Sequence, residues 1–218
     1  MNANQQPEIS QGTMPMPPRP LSMRLLHAIV LPAVLVLLSI PSEGRAFTFT
    51  TIDVPGATAT FATSINERGQ IVGQYSDVAG TFHGFLLERG TFTTIDPHGS
   101  TGTAAFAINA RGQIVGVYAD AGGVDHGFLL YRGKFATIDV PGATGTEAVG
   151  INAPGRIVGD YFDASGVFHG FLLRRGTFTS IDVPGATDTA LNDINAEGQV
   201  VGIYLDAGGT VHGFVALP

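Results

Sequence analysis

Four histidines, His83, His126, His169 and His212, stand 43 residues apart in a chain of 218 residues. A fourfold ring of imidazoles would suit a transition metal, because neutral ring nitrogens ligate such ions. Four aspartates keep the same interval, Asp77, Asp120, Asp163 and Asp206, each followed three residues later by glycine. Their loops are rich in carbonyl oxygen, which with carboxylate oxygen is the ligand set of calcium, so these four are the candidate cation ligands. One carboxylate per loop is a sparse set, and an aspartate at the first position of a turn caps it with its own side chain, so turn capping is the favoured role. Asn66, Asn109, Asn152 and Asn195 recur in the same way and are read as turn caps too. No nucleophile motif, phosphate loop or zinc spacing accompanies them, so no catalytic residue and no further cofactor is expected.

These side chains need elements to position them, and the period supplies them. The segment Ile-Asn-x-x-Gly begins at Ile65, Ile108, Ile151 and Ile194, and a second aspartate series, Asp53, Asp96, Asp139 and Asp182, keeps register with it. The chain divides into an N-terminal extension, 1–46, and four copies, 47–89, 90–132, 133–175 and 176–218. Within the first copy and the start of the second, the alternation of apolar runs and turn chemistry predicts strands over Ala59–Ile65, Gln70–Ser76, Thr81–Leu87 and Phe92–Asp96. Asn66-Glu67-Arg68-Gly69 and Asp77-Val78-Ala79-Gly80 suit type I turns followed by a left-handed glycine, Leu87-Glu88-Arg89-Gly90 is a third tight connection, and Val54-Pro55-Gly56 suits type II. Connections this short give an antiparallel four-stranded meander.

Ile71-Val72-Gly73 and Phe85-Leu86-Leu87 are apolar on both faces, so each sheet must be covered on both sides. Radial stacking does this and makes the expected fold all-β, a β-propeller of four four-stranded antiparallel blades. The repeat region opens on a fourth-type strand, Phe49–Asp53, and ends on a third-type strand, His212–Leu217. Joining the two would close the ring and remove its open edges, so the expectation is a closed monomer. Two chains completing one eight-bladed ring are the alternative. The histidines then fall on the third strand, away from the axis, where hydrogen bonding between blades is the expected role. Tyr75, Tyr118, Tyr161 and Tyr204 are expected to pack between blades.

Gly69-Gln70-Ile71-Val72-Gly73 and His83-Gly84-Phe85 resemble the HAF repeats, a family of extracellular repeats named for a His-Ala-Phe tripeptide after a Gly-x-Val-Gly strand. All four copies carry the pattern, with glycine in place of the alanine. The resemblance implies export and a propeller-like repeat, and it brings no catalytic residues with it.

The extension 1–46 reads as a targeting segment. Arg24 precedes an apolar run, Leu25 to Ile40, and Gly44-Arg45-Ala46 offers the small residues of a cleavage site, with Met23 as an alternative start. The expected location is secreted or periplasmic, and Phe47 is the expected mature terminus. The chain has no cysteine, so no disulfide supports it.

The full chain carries a formal charge of −7. Residues 47–218 hold eight basic and sixteen acidic residues, which argues against nucleic acid as a partner. The basic residues cluster at the first-to-second and third-to-fourth strand turns, one rim of a meander, and both aspartate series lie toward the other. An acidic rim of this kind suits a cationic partner or a weakly bound cation. The favoured function is a secreted, non-catalytic binding or scaffold propeller for an extracellular ligand, a glycan or a cationic partner. The alternative is a glycan lyase or hydrolase with its site at the central mouth. That would draw on the positions that differ between copies: Phe61, Ala104, Glu147 and Ala190, then Thr63, Phe106, Val149 and Asn192, with Asp193 beside them.

Overall fold

A computed structural model describes residues 47–218, and Phe49–Pro218 form one compact unit. The targeting segment and its cleavage site lie outside the described residues. The unit holds fifteen strands and, among the described residues, no helix. Blade 1 is β1 (Ala59–Ile65), β2 (Ile71–Ser76), β3 (Phe82–Glu88) and β4 (Thr91–Ile95). Blade 2 is β5 (Gly102–Ile108), β6 (Ile114–Ala119), β7 (Asp125–Tyr131) and β8 (Lys134–Ile138). Blade 3 is β9 (Gly145–Ile151), β10 (Ile157–Phe162), β11 (Phe168–Arg174) and β12 (Thr177–Ile181). Blade 4 has three strands, β13 (Asp188–Ile194), β14 (Val200–Leu205) and β15 (Val211–Ala216). Each sheet runs in chain order, and every pairing is antiparallel. The four strands expected over Ala59–Asp96 appear within a residue or two of their predicted bounds.

The turns form as their residues dictate. Gly69 and Gly80 adopt φ of 73° and 84°, the left-handed conformation that a glycine reaches without steric cost. The β3–β4 type hairpins go further, because Arg89, Arg132 and Arg175 also have positive φ, 51–53°. Two successive positive-φ residues make the tight loop whose twist matches its strands.

The apolar residues are buried between blades. Val72 and Ile95 of blade 1 pack on Ala105, Ile108, Ile114 and Phe128 of blade 2. Val115 and Ile138 meet Ala148, Ile151, Ile157 and Phe171 across the next junction, and Val158 meets Leu191, Ile194 and Val200 across the third. Close approach within a blade depends on glycine: a Cβ on Gly116 would lie 2.0 Å from the Ala104 carbonyl oxygen and 2.8 Å from the Phe128 ring.

The closing strand predicted from the sequence is not formed here. Among the described residues Phe49–Asp53 belongs to no sheet, and β15 has no fourth strand beside it. The outer faces of blades 1 and 4 are correspondingly open. Ile65 is 65% exposed, whereas its counterparts Ile108, Ile151 and Ile194 are 5–7% exposed. Val201 is 46% exposed, whereas Val72, Val115 and Val158 are fully buried.

Candidate ligand-binding cleft

The first strand of each blade is innermost, since β1, β5, β9 and β13 approach one another in turn. The β1–β2 type turns of all four blades rim a shallow mouth of about 250 Å3, lined by Ile65, Ile108, Ile151, Ile194 and the turn residues after them. Its asparagines do more than cap turns. Asn109 Oδ1 accepts the Arg111 and Gln113 amides, 3.0 and 3.1 Å, as a cap should. Its Nδ2 donates to the Asn152 carbonyl of the next blade at 3.0 Å. Asn66 donates likewise to Asn109, 3.1 Å, and Asn152 to Asn195, 2.9 Å. The recurrence marked these residues, but a single copy of the repeat contains no partner for the outward-reaching amide.

The histidines and aspartates form pairs within blades, which corrects the expectation of hydrogen bonds between blades. His83 Nδ1 lies 2.7 Å from Asp96 Oδ2 and its Nε2 lies 3.4 Å from Asp77 Oδ2. His126 repeats this with Asp139 and Asp120, and His169 with Asp182 and Asp163. Among the described residues His212 has Asp206 alone, at 3.0 Å, because no fourth strand of that blade presents a second aspartate. Tyr75, Tyr118, Tyr161 and Tyr204 stack on these imidazoles with centroids 4.9–5.2 Å apart. Tyr118 and Tyr161 also border the junction clusters. The stack and the carboxylates, two at His83, His126 and His169 and one at His212, fix each ring in place, third strand against turn.

Asp77, Asp120, Asp163 and Asp206 are engaged in the same way. Asp77 Oδ1 accepts the Ala79 and Thr81 amides, 2.8 and 2.9 Å, and the other three repeat the pattern. The amides of Thr81, Val124, Val167 and Thr210 are the main reason these carboxyls sit below the usual aspartate range. Among the described residues no group of three or more His, Asp or Glu gathers in metal-binding geometry. The four aspartates face separate histidines and turn amides.

The positions that differ between copies do not converge on the mouth. Thr63, Phe106, Val149 and Asn192 fall where the innermost strand slips register against the second, a bulge in every blade. Thr63 uses it to donate its hydroxyl to the Ala105 carbonyl of blade 2, 2.8 Å. Ala104 is buried, Phe61 and Ala190 are half-buried, and Asn192 and Asp193 are exposed. Glu147 stands opposite Asp160 in the β9–β10 register, and buried Asp160 accepts the Leu191 amide of blade 4, 2.6 Å. Burial, then the nearby Glu147 charge, push the Asp125 carboxyl up to about 6.

One feature breaks the fourfold pattern. Three of the segments leading into a first strand read Asp-Val-Pro-Gly-Ala-Thr, starting at Asp53, Asp139 and Asp182, and the fourth reads Asp96-Pro97-His98-Gly99-Ser100-Thr101. In the three regular segments the valine amide donates to a threonine hydroxyl on the following strand, 3.0–3.1 Å: Val54 to Thr60, Val140 to Thr146 and Val183 to Thr189. Pro97 has no amide hydrogen to give. The Thr103 hydroxyl turns instead to Ser100 Oγ, 3.3 Å. At this place, between blades 1 and 2, opens a cleft of about 310 Å3 lined by Phe82, His83, Asp96, His98, Ser100 and Thr101 among others. Asp96 Oδ1 is buried with no hydrogen-bond partner among the described residues. The irregular segment is visible in the sequence only as a departure from the repeat, and recurrence by itself does not mark it.

No family model matches the chain, and no curated protein matches it. Solved structures do. A structure of TolB from Acinetobacter baumannii superposes with a TM-score of 0.56 at 14% identity, over 72% of this chain and 40% of that one. A structure of a triple mutant of AofleA from Arthrobotrys oligospora gives a TM-score of 0.46 at 14% identity, over 77% of this chain and 58% of that one. The chain therefore spans about 40% of TolB's length, and the likeness to TolB shows its fold: four consecutive antiparallel blades of a β-propeller.

Proposed function

We propose that this chain is an exported, non-catalytic binding propeller of the HAF-repeat kind, and that it holds a hydroxyl-bearing ligand of the glycan class in the cleft between blades 1 and 2. The observation that carries this reading is the broken repeat at Asp96–Thr101. Elsewhere the repeated histidines, asparagines and turn aspartates serve the blade or its junction. Here proline removes the amide that bonds the next strand's threonine in the other three copies. The cleft that opens is lined by a partly exposed carboxylate, Asp96, one oxygen of which has no donor among the described residues, which is costly unless a ligand supplies one. A sugar hydroxyl is such a donor. Ser100, Thr101 and His98 offer further polar contacts, and Phe82 offers a ring face to the C–H side of a pyranose.

The non-catalytic reading is supported by where the alternative's candidates lie. Glu147, Asn192 and Asp193 do not line the mouth, and Glu67 is the one carboxylate among the described residues that does, so a glycan-cleaving site there lacks the pair of carboxylates it needs. Export rests on the targeting segment before Phe47. The reading also includes completion of blade 4 by a fourth-type strand equivalent to Phe49–Asp53.

A glycan array on the purified protein tests the proposal, with Asp96→Asn beside it. The expected result is a defined set of retained glycans that Asp96→Asn weakens at least tenfold. Retention unchanged in Asp96→Asn, or no glycan retained at all, would refute the cleft as the site.

A further inference from the structure

The four blades end in two unsatisfied half-junctions, and their residues match. Each internal junction joins a β2-type valine on one blade to a β1-type isoleucine on the next. The exposed valine Val201 on blade 4 and the exposed isoleucine Ile65 on blade 1 are the two halves of one more such junction. Ile203 and Val215 extend the apolar face around Val201. The axial ladder stops in the same place: among the described residues Asn195 Nδ2 donates to Gln199 of its own turn, 2.6 Å, and to no other blade.

The strand inventory agrees. Thr48-Phe49-Thr50-Thr51-Ile52-Asp53 is identical to Thr91-Phe92-Thr93-Thr94-Ile95-Asp96, which contains β4. A segment with the sequence of a fourth strand is built to lie beside a third strand, and β15 is the third strand that has no such neighbour. Gly213 on β15 has open space around its Cβ position, whereas Gly84, Gly127 and Gly170 are pressed by fourth-strand carbonyls at 2.6–2.8 Å.

We infer that a second copy of this chain docks head to tail, its blade 1 on blade 4 of the first, so that two chains close one eight-bladed ring. Three like junctions lead from blade 1 to blade 4 without bringing the outer faces together, so closure within one chain would require all three to bend. A second copy instead supplies each open face with the half-junction it lacks. In every internal junction the fourth strand runs through the short linker into the first strand of the next blade. A second copy seated by the same junction therefore brings its own residues 49–53 beside β15. Its Asp53 then supplies the aspartate that His212 lacks, as Asp96, Asp139 and Asp182 do for the other three histidines. The two chains make the same pair of junctions reciprocally, so the ring closes and leaves no edge.

Light scattering on the purified protein at micromolar concentration is expected to give twice the chain mass. Gly213→Val, which fills the space the incoming strand needs, and Val201→Lys, which charges the docking face, should each give monomers with an unchanged β-sheet spectrum. Because the chain has no cysteine, Thr50→Cys combined with Val215→Cys distinguishes a second copy from self-closure. These positions are opposed as Thr93 and Leu86 are in blade 1, within disulfide reach. Oxidation should yield a covalent dimer. A monomeric wild type, a ladder of longer oligomers, or a disulfide formed within one chain would overturn the inference.

Discussion

His83 and His126 each lie between two carboxylates. Burial disfavours their charged form, but hydrogen bonds with Asp96 and Asp77, and with Asp139 and Asp120, outweigh it and hold both pKa values above the usual histidine value. A raised folded-state pKa contributes stability in full below the unfolded value of 6.5 and loses it as pH rises through the folded one. The turn aspartates behave oppositely: their contribution is present above 3.8 and lost as pH falls through their depressed values. Asp125, raised to about 6, costs stability progressively from pH 3.8 upward. Melting temperature plotted against pH should therefore fall at both ends. His83→Gln with His126→Gln should flatten the decline above pH 6.5. Asp125→Asn should raise the melting temperature at neutral pH and leave it unchanged below pH 3.8. An alkaline decline that survives the double histidine variant would show that these pairs do not couple protonation to folding.

At the scale of the element, stability depends on how a blade is tied to the next, and the asparagine turn carries part of that tie. Asn109 is buried and serves two amides of its own turn, the Gln113 side chain and the Asn152 carbonyl. Asn109→Ala leaves several buried groups without partners and should cost about 3 kcal/mol at 1–3 kcal/mol for each strongly desolvated group. Asn66→Ala, in a partly buried turn at the open face of blade 1, should cost distinctly less. Urea denaturation of the two variants measures the difference, and equal losses would mean that the burial of Asn109 adds nothing to the cost of removing bonds that both side chains make. Strand positions and turn types were legible in the sequence because they depend on neighbours a few residues away: Asn66 to Gly69 specifies its turn whatever surrounds it. The second bond of each asparagine was not legible, nor was the confinement of the histidine pairs to single blades. Both depend on how one blade is set against the next. The open ends follow the same rule, since strand content alone suggested that Phe49–Asp53 would close the ring, and the set of the blades leaves it unpaired.

For the whole molecule, near-symmetry makes a departure from the repeat informative. Four blades share their junctions, their axial turns and their outer His–Asp pairs, and the segment between blades 1 and 2 alone among its counterparts lost the amide bond to the next strand. A structural account would treat Pro97-His98-Gly99-Ser100 as a tolerated lapse. A functional account holds that stability was given up there to open a cleft lined by a carboxylate whose hydrogen bonding is incomplete. The two separate when the segment is restored to the form of its counterparts, Pro97→Val, His98→Pro and Ser100→Ala together. The most direct measurement is glycan-array retention by this restored protein beside the wild type. The account predicts that the wild type's retained glycans are lost while the restored protein melts at a higher temperature, because the amide hydrogen that Pro97→Val returns to the backbone can again bond the Thr103 hydroxyl. Unchanged retention by a well-folded restored protein would contradict it.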